Sequence, residues 1–191
     1  MDLKQLVSIV KEILSILTMF GDAFIVIFLI SLLLNLKYPK IFVAILNFFK
    51  KSALSLALFV ALLATSGSLF FSEIAKYEPC KLCWEQRIFM YPQVILLFIA
   101  LWKKDYAVSK YIIPLSAIGA FIAAYHYRIF FTTKIAASGV CTASGGASCV
   151  ARYVFEFGYV NIPMMSLTAF VLIIIMAFFW SKNKNRNENR V

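Results

Sequence analysis

Two cysteines three positions apart, Cys80 and Cys83, lie where a polar segment runs into an apolar one. A C-x-x-C pair can switch between dithiol and disulfide, which is a two-electron redox reaction. If a helix begins near Pro79, both cysteines and Arg87 share one face of its first turns. Exposed backbone N–H groups and a nearby cation favour a thiolate there. The spacing predicts a redox-active pair, and a static disulfide is the other interpretation.

A second pair, Cys141 and Cys149, lies in the long loop Thr132–Asn161 between two apolar runs. Only small residues separate these cysteines, among them Gly145 and Gly146, so the segment can close a disulfide and also move. A purely structural disulfide is the alternative. A zinc site built from all four cysteines is a further one, although this spacing departs from the usual zinc-knuckle pattern.

The composition is that of an integral membrane protein. The chain has 191 residues, of which 62% are hydrophobic and 15% charged, and its mean hydropathy is +0.86. Soluble domains are roughly 45–50% apolar and about 25% charged. The net charge of +10 comes from basic residues beside apolar runs. Such residues encode membrane topology, so no nucleic-acid partner is expected.

Apolar runs of about 20 residues can cross a bilayer as helices. Five runs qualify or nearly qualify: roughly Leu17–Leu36, Ser52–Phe71, Ile88–Trp102, Ile112–Phe131 and Ile162–Trp180. The third is long enough only if its helix starts near Pro79 or Cys80. The predicted fold class is an all-α membrane protein, a four-helix transmembrane bundle with an additional N-terminal transmembrane helix.

Three regions follow from these runs. Residues 1–51 are an extension that holds the extra helix and a basic amphipathic segment, Lys37–Lys51; residues 52–180 are the redox bundle; residues 181–191 are a disordered tail. Lysine and arginine are enriched in Lys37–Lys51, in Lys103–Lys110 and in the tail. The positive-inside rule makes these segments cytoplasmic and places both cysteine loops outside. Asp22 is interpreted as an interfacial residue without a function.

Other polar side chains lie near the first cysteine pair or near the outer end of a span. Gln86 and Tyr91 add hydrogen-bonding groups beside the pair. His126 lies close to the outer end of the fourth run, and ionisable groups inside spans are candidates for function. His126 is either a proton donor or hydrogen-bond partner for a bound carrier, or part of a structural aromatic cluster.

The segment from Pro79 to Pro92, PCKLCWEQRIFMYP, closely resembles the first cysteine motif of the DsbB/BdbC family of disulfide-bond formation proteins. The similarity extends in outline over residues 52–180, with four spans, two outward cysteine pairs and a histidine in the third of those spans. The extension 1–51 has no counterpart in the family core. The loop around the second pair is short for the family, which affects how a partner would dock.

This resemblance implies a quinone-linked thiol oxidase in the bacterial inner membrane. A secreted or membrane-anchored thioredoxin-like thiol oxidase would be reoxidised by the Cys141–Cys149 disulfide, with Cys141 in the mixed disulfide. Electrons would pass to Cys80 and Cys83 through a Cys80–Cys149 link and then to ubiquinone or menaquinone. The implied catalytic residues are the four cysteines. The implied quinone-binding residues are Arg87, Gln86, His126 and Met90, and no metal is expected.

Two other functions remain open from the sequence. The same cysteines could catalyse the reverse reaction or pass electrons to a different acceptor. The reverse reaction needs an electron supply, and the sequence contains no cofactor motif for one. A non-enzymatic membrane scaffold could use the cysteines for structural disulfides or for a four-cysteine zinc site. Few charged residues lie inside the spans, which argues against a channel.

Overall fold

The computed structural model describes residues 2–33, 52–105, 107–132 and 153–188. Five α-helices account for most of them: α1 (Leu3–Leu33), α2 (Ala53–Leu69), α3 (Lys81–Lys103), α4 (Ser109–Phe131) and α5 (Ile162–Glu188). A π-helical turn, Phe70–Ile74, extends α2. The predicted all-α class is confirmed. Four of these helices, α1, α2 with its π turn, α4 and α5, are long and apolar enough to cross a membrane.

Helices α2 to α5 pack around one apolar core whose fully buried side chains include Leu97, Ile112 and Phe170. Helices α4 and α5 approach closely because α4 carries Gly119 opposite Phe170. A Cβ atom on Gly119 would lie 2.3 Å from Cζ of Phe170, so no other residue fits without a shift. Small residues at such crossings let membrane helices come close enough for tight packing.

Helix α1 begins at Leu3, well before the predicted run Leu17–Leu36. The apolar-run criterion missed these turns because charged residues precede the run, although a helix can extend beyond its apolar part. Asp22 therefore lies deep inside a long helix. Its Oδ1 accepts a 2.5 Å hydrogen bond from the hydroxyl of Thr168 on α5. Asp22 thus has a hydrogen-bond partner within the bundle, and its interpretation as an interfacial residue without a function stays a prediction.

The start of α3 confirms the prediction of a helix that begins near Pro79 or Cys80, whereas the end of α5 differs from the prediction. Helix α3 starts at Lys81 with Cys80 as its N-cap, so Pro79 lies before the helix. Helix α5 continues to Glu188 and takes in most of the tail predicted to be disordered. The polar composition of residues 181–188 argues against burial of this segment. The segment can still be helical, because adding residues to an existing helix requires no new nucleation step. The predicted amphipathic segment Lys37–Lys51 and the loop that carries Cys141 and Cys149 lie outside the described residues.

Candidate redox site

The first cysteine pair sits at the N-terminus of α3. Cys80 is the N-cap in an extended conformation, and Cys83 lies in the first turn. Their sulfur atoms are 2.9 Å apart and are not joined in a disulfide. Cys80 is buried, with 4% of its surface exposed, whereas Cys83 is half-buried. The structure thus brings the two thiols together, as their spacing predicts, and leaves Cys83 the more accessible sulfur.

A histidine from a different helix contacts this pair. Nε2 of His126 on α4 lies 3.7 Å from Sγ of Cys80, and its Nδ1 lies 3.0 Å from Nε2 of Gln86. An amide nitrogen only donates, so Nδ1 is the acceptor and the neutral ring carries its proton on Nε2. That proton points at Cys80. Gln86 and His126 are both buried, and together they orient one hydrogen-bond donor towards the thiol.

The surroundings of Cys80 keep it protonated. The hydrogen bond with Cys83, followed by burial, raises the pKa of the Cys80 thiol from 9.0 to about 12, and His126 opposes this in part. A neutral group is favoured where water is excluded. In the reduced pair, Cys80 is therefore an S–H donor towards Cys83. Negative charge is better placed on Cys83, which is more exposed and lines the same cavities as Arg87.

Arg87 is held in place by α2. Its Nε donates to the hydroxyl of Ser68 at 2.9 Å, and Nη2 donates to the Ser68 carbonyl at 2.9 Å. The guanidinium carbon also lies 5.1 Å from the centre of the Trp84 ring, a cation–π distance. Sequence reasoning selected Arg87 but missed Ser68, because the contact joins two helices. The sequence signal was a cluster of small polar residues, Thr65-Ser66-Gly67-Ser68, within this apolar run.

Two cavities meet at this site. The smaller, of about 60 Å³, is lined by Cys80, His126 and residues of the segments that precede α3 and α5. The larger, of about 230 Å³, lies between α1, α2, α3 and α5 and is lined by Gln86 and Met90. Five residues line both: Ser68, Phe71, Cys83, Arg87 and Ile162. Cys83 and Arg87 therefore lie at the junction. His126 lines only the smaller cavity, beside the cysteines.

The larger cavity contains an unused hydrogen-bonding group. The hydroxyl of Tyr91, one turn after Arg87, is buried and has no hydrogen-bond partner among the described residues. Tyr91, Arg87 and Cys83 all line this cavity. A buried hydroxyl without a partner costs free energy relative to one that is hydrogen-bonded. A hydroxyl without a partner in a cavity-lining residue is a candidate donor to a bound ligand.

A metal ion could use part of the same site. Ligand atoms of Cys80, Cys83 and His126 all lie within 4.8 Å of one another. These are three potential ligands, and a structural zinc site is almost always four-coordinate. The four-cysteine zinc site considered from the sequence would need Cys141 and Cys149, which lie outside the described residues.

A helical membrane bundle with a C-x-x-C dithiol at the start of one helix has the architecture of a membrane thiol–disulfide oxidoreductase. Residues 50–180 match the family model of disulfide bond formation protein DsbB. The chain belongs to this family, and the resemblance seen in the motif PCKLCWEQRIFMYP is confirmed. No solved structure matches the chain. Helix α1 precedes the matched residues.

Curated relatives carry the same kind of name. "Probable disulfide formation protein C" of Bacillus cereus is 48% identical over 122 residues, which cover 64% of this chain and 86% of the relative. "Disulfide bond formation protein C" of Bacillus subtilis is 48% identical over 117 residues, covering 61% and 83%. "SPbeta prophage-derived disulfide bond formation protein B" of Bacillus subtilis is 44% identical over 142 residues, covering 73% and 94%. Family and relatives support a membrane oxidoreductase of disulfide bond formation.

Proposed function

We propose that this protein is a quinone-linked thiol oxidase that reoxidises an extracytoplasmic thioredoxin-like oxidase. One observation carries the proposal. Cys83 and Arg87 lie where the small cavity beside the segments before α3 and α5 meets the larger cavity between the helices. A dithiol at such a junction can exchange with protein thiols on one side and face a lipid-soluble acceptor on the other. The family membership supports the exchange with protein thiols.

The larger cavity suits a quinone ring. Its volume of about 230 Å³ is below the roughly 300–1,000 Å³ of pockets that enclose whole drug-sized ligands. That size fits a ring whose isoprenoid chain extends into lipid. Arg87 and the orphaned hydroxyl of Tyr91 offer donors for carbonyl oxygens, and Met90 contributes an apolar wall. Ubiquinone and menaquinone both present such oxygens.

The redox balance involves two electrons and two protons at each stage. The partner's dithiol becomes a disulfide as the Cys141–Cys149 disulfide is reduced. That new dithiol then reduces a Cys80–Cys83 disulfide by thiol–disulfide exchange, in which one S–S bond forms for each one broken. In the last stage the Cys80–Cys83 dithiol would return to a disulfide, and its two electrons and two protons would pass to a quinone, giving quinol.

The described residues have distinct parts in this scheme. Cys80 lines only the smaller cavity, beside His126, and is the proposed sulfur that exchanges with the second pair. Cys83 faces the larger cavity. Arg87, fixed by Ser68, holds positive charge beside Cys83 and stabilises a thiolate or a reduced ring. His126 lies next to Cys80, so its proposed role is to hold a proton at the dithiol rather than to contact the ring.

The proposed topology follows the positive-inside rule. The Lys-rich segments and the C-terminus are cytoplasmic, and both cysteine pairs face outward in the bacterial cell membrane. We infer that the N-terminus also faces outward, since Lys11 near the start of α1 forms an ion pair of 3.5 Å with Glu156 in the segment before α5.

The test uses purified protein in lipid nanodiscs, a reduced thioredoxin-like protein and a quinone. We expect quinol to form in equimolar amounts with the partner's disulfide, as read from quinone absorbance and thiol counts. No quinol formation, together with zinc bound in the same sample, would instead support the scaffold. Reduction of the oxidised partner by added quinol would support the reverse reaction.

A further inference from the structure

Helix α1 contributes to the larger cavity although it lies outside the residues that match the family. The match begins at residue 50, whereas α1 spans Leu3–Leu33. Three α1 side chains nevertheless line the cavity: Leu14, Leu17 and Thr18. Its remaining walls come from α2 with its π turn, from α3 and from α5. The cavity is thus completed by an element that the family match does not include.

Two close contacts fix α1 against the bundle. At Gly67 of α2, a Cβ atom would lie 3.1 Å from Cδ1 of Leu14. At Gly21 of α1, a Cβ atom would lie 2.9 Å from Cγ2 of Thr168 on α5. The glycine of α1 lets its backbone approach α5 closely, as in other membrane helix pairs. Helix α1 therefore packs on α5, whereas it contacts α2 through the Leu14 side chain at Gly67.

A polar contact sets the rotation of α1. Asp22 accepts its hydrogen bond from Thr168, and Thr168 itself lines the larger cavity. A carboxyl group inside a membrane span is costly unless it has a polar partner, so this contact disfavours other rotations of the helix. The exposed Lys11–Glu156 ion pair contributes little by comparison.

The opposite face of α1 is apolar and exposed. Its exposed large side chains include Ile9, Ile13, Ile16, Phe20 and Ile27. Thr18, on the inner face, is 8% exposed. In a bilayer the outer face would contact lipid, so α1 stands between the cavity and the lipid on this side.

We propose that α1 is the wall that separates the quinone cavity from lipid between α2 and α5, and that Leu14 and Thr18 contact the bound quinone. This inference rests on the proposed function, because it assigns the occupant of the same cavity. Helix α1 blocks lateral entry of the ring on its side. Its inward side chains limit the size of the ring substituents that fit.

The first experiment places bulk on the inner face in the full-length protein. Thr18→Phe fills part of the cavity, whereas Ile16→Phe, two residues earlier on the lipid-facing side, is the matched control. We expect Thr18→Phe to raise the KM for quinone about tenfold, with the rate of thiol exchange with the partner unchanged. Ile16→Phe should leave both quantities as in the wild type. Equal KM values for the two variants would overturn the inference.

A second experiment covers the case in which Thr18→Phe does not fold. Wild-type protein in nanodiscs is irradiated with a photoreactive quinone, and labelled peptides are identified by mass spectrometry. We expect labels on α1 around Leu14–Thr18 that excess unmodified quinone suppresses. Labels confined to α2, α3 and α5 would overturn the inference. Wild-type protein that reduces no quinone would instead overturn the proposed function, and the two failures are therefore distinguishable.

Discussion

Arg87 of α3 is bound to Ser68 of α2 through two hydrogen bonds of 2.9 Å, one to the hydroxyl and one to the backbone carbonyl. These bonds fix a cation beside Cys83 at the junction of the two cavities. The π-helical turn begins two residues after Ser68, and such turns often occur at functional sites. The position of the charge is therefore set by contacts between helices.

Arg87→Ala should impair the quinone step more than the thiol step. The variant loses the cation that stabilises negative charge at Cys83, so we expect quinone reduction to fall about 10- to 100-fold, while exchange between the partner and the second cysteine pair stays within about twofold. Ser68→Ala removes only the hydroxyl acceptor and keeps the carbonyl, so its effect should be smaller. Stopped-flow measurement of each half-reaction checks this. Equal losses in both half-reactions would contradict the role of Arg87.

Replacing Cys80 or Cys83 by Ala should abolish quinone-dependent reoxidation of the partner. Either change leaves a single thiol, which cannot carry two electrons as a disulfide. The measurement is quinone absorbance during turnover with reduced partner. Ser66→Ala is a suitable control, since Ser66 is exposed and, among the described residues, its hydroxyl donates only to the carbonyl of Leu63 in its own helix. Turnover by both cysteine variants would contradict the mechanism.

Tyr91→Phe should raise the KM for quinone without weakening the fold. The change removes one hydrogen bond to the ring, worth about a 3- to 10-fold rise in KM. Because the Tyr91 hydroxyl is buried without a partner among the described residues, its removal should leave the unliganded melting temperature unchanged or higher. Tyr111→Phe, at an exposed position on α4, is the matched control. An unchanged KM for Tyr91→Phe would exclude Tyr91 from the quinone site.

The reactivity of Cys80 should rise with pH well beyond the range of an ordinary thiol. Its pKa of about 12, against 9.0 for a free thiol, means roughly a thousandfold less thiolate at neutral pH. Alkylation by iodoacetamide should therefore still be accelerating above pH 9, as measured by peptide mass spectrometry on reduced protein. Cys83→Ala removes the hydrogen bond that raises the pKa of Cys80 most, so the alkylation rate should rise at lower pH than in the wild type. His126→Ala removes a contact that lowers the pKa of Cys80, so the alkylation rate should rise at higher pH than in the wild type. A plateau near pH 9 in the wild type would contradict the assigned environment.

Gly119→Ala should destabilise the bundle. The new methyl group would overlap the ring of Phe170, which is fully buried. Overpacking of this kind costs about 1–3 kcal/mol. Denaturation in detergent provides the measurement, and Phe170→Leu completes a double-mutant cycle. If the contact is direct, the double variant should lose less stability than the sum of the single changes. Additive losses would place the strain elsewhere.

The sequence alone determined the class of the fold, the family and the candidate redox pair. Apolar runs report helices that must satisfy their own backbone hydrogen bonds in lipid, so five helices could be located within a few turns. The spacing of Cys80, Cys83 and Arg87 follows from one helical repeat, and the surrounding motif identified the family. The start of α1 and the end of α5 differ from the prediction because charged and polar residues mark helix boundaries poorly.

Only the tertiary structure decided which side chains from different helices meet. His126 faces Cys80 rather than the larger cavity, and Ser68 anchors Arg87. Asp22 joins Thr168 across a sequence separation of 146 residues, which no local pattern encodes. Such contacts depend on the rotation and depth of each helix in the bundle. Packing around glycines and buried polar partners sets both, and hydrophobic periodicity does not.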